Sequence, residues 1–451
     1  MIFILLLSIP IQYILSYIIL PLYKEKQNTE LISEPIEVIQ NLFNSQIYTF
    51  IEIGSEMKKV KAYLTHLRGE LIIAGKEVKN HKYDESHSKT YFCVYNETKD
   101  FYNGVFSQIL LSKEDFFLQN DKNEIQNIRL NFILGVKSFN NVPYEGVLGL
   151  QLPFLNSEAE YNIIRSLKNG KIINSYDWFL DLDNLENGGA KMYIGTLPHI
   201  INKQLNENNL QSTNAVKSGV YMNWGMEFSE TYYGSNNKLG KSYQAYVHFD
   251  FGLIFGPNEL MDILDNKFFD YYIKENICFK ESYGIEKNIF YYCKNDKRFS
   301  VKKFQTIYFE NNEMESVFEF NYKDLFYYKD GLVYFLIMFR EYNKGSYLLG
   351  EIFLRKYKLS FNQDKKNIGY YKNRKISQEK KFKKKEKGIK LNFTNFLLIL
   401  ILLTIIIIAL IYYKKFTNRK IRANELEENY QYISKNDISK ENNKKLTDEN
   451  L

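Results

Sequence analysis

The stretch VKAYLTHLRGELIIAG, residues 60–75, sets Thr65-His66-Leu67-Arg68-Gly69 between two apolar runs, and QAYVHFDFGLIFGP, residues 244–257, repeats that outline around His248 and Asp250. These centres hold the side chains best suited to chemistry. On paper Thr65, His66 and Asp250 form a nucleophile, base and orienting acid. Adjacent residues in a strand face opposite sides, however, which argues against Thr65 and His66 working together. Zinc requires three or four ligands at recognisable spacing, and the chain has neither a Cys/His cluster nor a His-Glu-x-x-His run, so no metal and no cofactor are expected. Two opposed carboxylates would split their pKa values into a base and an acid able to activate water. No such matched pair of acids stands at the two centres.

Between Gln40 and Tyr371 the chain consists mostly of short strand candidates cut by Asn, Gly, Asp and Lys clusters, with one helix expected around Ser157 to Leu167. The pattern is all-β. YTFIEIGSEMKKVKAYL reads as a hairpin about a Gly-Ser turn and leads directly into the first centre. Downstream of each centre lies an apolar-apolar-Gly unit, Val147-Leu148-Gly149 and Leu348-Leu349-Gly350, whose glycine suits a close backbone approach. The simplest explanation is a duplicated architecture of two related lobes.

At this point the sequence resembles the pepsin-like aspartic proteases, over roughly Gln46 to Tyr371. The landmarks, in order, are YTFIEIGS, YNGVFSQ, YEGVLGLQLP, AYVHFDFGLIFGP and YLLGEIFLRKYKLSFNQDKKNIGYY, the last being the most specific. The resemblance implies a bilobal all-β fold with a central cleft and a hairpin flap near Tyr95 to Gly104, with Tyr95, and after it Tyr102, as the flap tyrosine. It also implies one aspartate per lobe at the cleft floor. Laid on the family's Asp-Thr-Gly pattern without gaps, the two aspartate positions fall on Thr65 and His248; a two-residue deletion would instead align Asp250-Phe251-Gly252 in the second lobe. At most one carboxylate survives either way, and the bracing threonines become His66 and either Phe249 or Phe251. Leu67 replaces a turn glycine and is expected to reshape its loop, while Glu70 would need a different turn to serve as an acid. The expected function is a non-catalytic peptide- or protein-binding member of the family; the alternative is an active aspartic endopeptidase using Asp250 with His248 or Glu70.

The 451 residues suffice for two ordinary domains of about 100–200 residues each. Much of the net charge of +7 is concentrated between Tyr371 and Lys390, a solvated stalk without the aromatic platform of a nucleic-acid binder, so no nucleic acid is expected. Residues 1–23 carry no charge and read as a signal peptide or signal anchor, and 24–45 as a short linker or pro-segment. The lobes are expected at 46–205 and 206–371. A basic stalk at 372–395, a transmembrane helix at 396–413 and a cytoplasmic tail at 414–451 follow. The folded part is placed outside or in the lumen as a monomeric ectodomain, although ten Lys/Arg precede the apolar run between Lys372 and Lys390 and five follow it between Lys414 and Arg422. Of three cysteines, Cys278 and Cys293 are close enough to pair in an exported chain, and Asn96 and Asn392 are glycan acceptors in form.

Overall fold

The computed structural model describes residues 16–25, 34–79, 81–95, 99–100, 106–138, 144–153, 159–218, 221–341, 345–372, 407–415 and 417. The body is mostly β, as expected. The predicted hairpin forms from Ile47–Ile53 and Lys58–Thr65, with Tyr48 opposite Tyr63 and Ile53 opposite Lys58. Gly54, at φ +80, makes the turn that a side chain would strain. The first of these strands is buried at every second residue, which drives it onto the sheet face that covers the core.

Each lobe repeats one small device. In the first, Lys58–Thr65 runs parallel to Gly146–Gly149, which pairs antiparallel with Leu71–Ala74. In the second, Tyr243–Val247 runs parallel to Ser346–Leu349, which pairs antiparallel with Ile254–Gly256. A Cβ on Gly149 would meet Arg68 O and Glu70 O at 2.6 Å, and one on Gly350 would meet Phe251 O and Leu253 O at 2.5 and 2.3 Å. The close backbone approach read from the two apolar-apolar-Gly units is therefore present in both lobes.

Two segments ahead of the first expected lobe form elements of their own. Ile18–Lys24 falls within the expected leader, yet it is a buried strand paired with Ala190–Ile194 and Ile47–Ile53. Residues 1–15 of that expected segment lie outside the described residues. The expected linker or pro-segment contains the helix Pro35–Phe43, which buries Val38 and Ile39 and packs Phe43 on Phe251 and Phe255 at 5.4 and 5.5 Å between ring centres. Strand pairings also join the two expected lobes, 46–205 and 206–371. Leu210–Asn214 joins Asn367–Tyr371, and Ser360–Asn362 joins Asp177–Asp181, so the chain end completes a sheet begun in the first lobe. The expected helix is observed at Ile163–Asn169, capped by the Asn162 side chain.

Cys278 and Cys293 lie opposite each other on adjacent strands and form a disulfide. Asn96, Asn392, most of the flap, the basic stalk, most of the expected membrane helix and most of the expected tail lie outside the described residues. Among the described residues no helix is long and apolar enough to cross a membrane.

Candidate functional site

Thr65 lies opposite Gly149 and Val247 opposite Leu349, and both loops span six residues to the next paired strand, Thr65 to Leu71 and His248 to Ile254. Matching the two glycines therefore places Thr65 against His248, His66 against Phe249 and Leu67 against Asp250. This is the ungapped alignment. Leu67 fits by turning outward, 60% exposed, and the first loop keeps the span of the second.

Each loop is held by a different neighbour. Asn162, fully buried, donates from Nδ2 to Gly69 O at 2.6 Å while its Oδ1 accepts from Ile164 N and Arg165 N. The second loop rests on the segment preceding the first lobe's hairpin: Gly252 N donates to Phe43 O at 2.9 Å, and a Cβ on Gly252 would strike Leu42 O. Beneath the second loop, Phe249 is 1% exposed, with ring centres 5.6 Å from Trp178 and 5.8 Å from Phe361. An apolar plug lies under this loop.

The side chains that meet come from both lobes. His66 Nδ1 and Asp250 Oδ1 are 2.5 Å apart, and the His66 and His248 ring centres are 3.5 Å apart. His248 Nδ1 is buried without a hydrogen-bond partner and lies 3.9 Å from Asp250 Oδ1. Burial, reinforced by the neighbouring His66 and Arg340, pushes the His248 pKa down to about 2, so its imidazole is neutral. Thr65 Oγ1 accepts from Leu67 N at 3.1 Å, which ties it to its own turn. Glu70, only 2% exposed, accepts from Gly69 N at 3.2 Å. Tyr95 is an exposed residue whose N donates to Leu111 O at 3.3 Å.

The floor opens into a cavity of about 290 Å³ lined by His66, His248, Gln151, Asn223, Trp224 and Tyr246 among others. Gln151 Nε2 reaches Asn223 Oδ1 at 3.1 Å, and Trp224 Nε1 donates to Leu150 O at 2.6 Å, so the lobes are also bonded beside the floor. Sequence reasoning paired Asp250 with His66 in one reading and with His248 in another, and missed that all three converge. Ligand-spacing rules search within one segment, whereas His66 and Asp250 are 184 residues apart. Among the described residues, His66, His248 and Asp250 form a cluster with one donor atom from each within 4.8 Å of the others.

The family model for eukaryotic aspartyl protease matches residues 72–372. A comparison with curated proteins finds no match.

Proposed function

Because the chain belongs to the eukaryotic aspartyl protease family, we propose that it is a cleft-binding member without peptide hydrolysis, anchored by a single C-terminal membrane span and displayed outside the cell or in the lumen. The observation that carries this reading is the composition of the floor: one carboxylate, Asp250, faces two imidazoles instead of a second acid. Hydrolysis by an acid pair needs one group to accept the water proton and another to donate to the carbonyl oxygen. Here His66 engages the single acid, and a neutral His248 takes the second lobe's aspartate position in the ungapped alignment. Losing one positioned acid or base typically costs about 10²–10⁴ in rate, and members of a joint site are lost as a unit.

The preserved cleft supports a peptide or protein occupant, held between the lobes near Trp224 and Tyr246. The membrane anchor rests on the charge-free run Phe396 to Tyr413. The test is to incubate the full chain in detergent with a broad peptide library between about pH 3 and 6, the range over which an acid pair operates. We expect retained peptides without new termini. Pepstatin-sensitive cleavage abolished by Asp250→Asn would overturn the reading.

The 2.5 Å contact between His66 and Asp250 favours one alternative, an endopeptidase in which Asp250 works with an imidazole partner. Cleavage that survives pepstatin and disappears in His66→Gln would establish it.

A further inference from the structure

We infer that His66, His248 and Asp250 form a binding site for one divalent transition-metal ion of the zinc type, built at the cleft floor from both lobes. The inference goes beyond the reading of the cleft as a peptide site and stands whether or not a peptide binds there.

The donor set is two imidazoles and a carboxylate, which suits zinc and its first-row neighbours rather than magnesium or calcium, whose sites are built from oxygen. The distances fit. With metal–ligand bonds of about 2.0–2.2 Å in tetrahedral geometry, ligand atoms lie about 3.3–3.6 Å apart. Asp250 Oδ1 is 2.5 Å from His66 Nδ1 and 3.9 Å from His248 Nδ1, which brackets that range. Small side-chain rotations would open the first distance and close the second.

His248 supplies an independent argument. A buried ring nitrogen without a partner forfeits a hydrogen bond and is normally rare in a folded protein. Coordination would satisfy it. Three protein ligands leave a fourth position free. His66 and His248 both line the cavity of about 290 Å³, which provides an entry route and room for water at that position.

An ion held this way would fasten the two lobes. The experiment is calorimetric titration of the metal-stripped full chain with Zn²⁺ alone at pH 7.5, with Mg²⁺ as the comparison, followed by Co²⁺ titration read by visible absorption. We expect one Zn²⁺ per chain, no saturable Mg²⁺ uptake, a tetrahedral Co²⁺ band and a higher melting temperature with Zn²⁺. His248→Gln and Asp250→Asn should each weaken Zn²⁺ binding by about 100-fold or more, beyond the range for outer-shell changes. His199→Gln, at a histidine bonded to Tyr371 away from the cluster, should leave binding unchanged. Absence of saturable Zn²⁺ binding, or equal affinity in wild type and in a folded His248→Gln chain, would overturn the inference. The Co²⁺ band of the unmutated chain decides the matter if those variants fail to fold.

Discussion

The loops at 65–70 and 248–253 share a backbone plan and differ in almost every side chain. Both follow a strand paired in parallel, both span six residues, and both close on a glycine that admits no Cβ. The first carries polar groups that bond locally or reach across: Thr65 to its own turn, His66 to Asp250. The second is packed with aromatics, Phe249 on Trp178 and Phe251 on Phe43, and leaves His248 half-buried and neutral. Backbone geometry at such a turn is set by the glycines and the strand pairing, so side chains could change without altering the plan. The difference teaches that the supports of such a loop and the side chains it carries are separable.

The largest expected effect tests the apolar side of that contrast. Phe249→Ala should destabilise by about 3–5 kcal/mol, the usual cost of emptying an aromatic core position, measured by urea denaturation. His66→Ala, at the equivalent place in the first loop, should cost about 1–2 kcal/mol, as for a lost hydrogen bond to a charged group. Equal losses would break the comparison.

Acid should expose the second loop selectively. The folded pKa of His248 is lowered, and the unfolded imidazole titrates near about 6.5. The unfolded state therefore binds the extra proton below that pH, and the stability from a neutral His248 is complete above about pH 6.5 and lost as pH falls. The slope from this group is about 1.4 kcal/mol per pH unit, just under about 3 kcal/mol between pH 6 and 4. His248→Asn should flatten the profile; an unchanged slope would place the acid sensitivity elsewhere.

Support of the first loop can be probed next. Asn162→Ala removes the donor to Gly69 O and the cap on two backbone N–H groups. A loss of about 2 kcal/mol is expected, with hydrogen exchange rising around Gly69. The smallest effect belongs to Thr65→Val, about 1 kcal/mol for one hydrogen bond within the turn, without any change in peptide processing. A change in processing would mean that Thr65 takes part in chemistry.

Much of the fold was legible because its landmarks are local. A hairpin announces itself through alternation and a turn glycine, as at Ile47–Ile53 and Lys58–Thr65. Val147-Leu148-Gly149 and Leu348-Leu349-Gly350 marked the close approaches, and Cys278 and Cys293 the disulfide. The helix Pro35–Phe43 and the strand Ile18–Lys24 were not foreseen as elements because apolar content alone does not say what it packs against. The helix beginning at Asn258–Leu264 was missed as well; its short apolar segments fit a strand equally well.

The sequence by itself determined the family, the duplicated plan and the absence of matched acids at the two centres, since each is written in residues close together along the chain. Only the tertiary structure decided that His66 bonds Asp250, that His248 Nδ1 is buried without a hydrogen-bond partner, and that Ile18–Lys24 and Pro35–Phe43 pack into the folded body. The reason is physical. Strand and turn preferences act over a few residues, whereas burial, neutrality and convergence at the floor arise when two halves distant in sequence exclude water from the same few side chains.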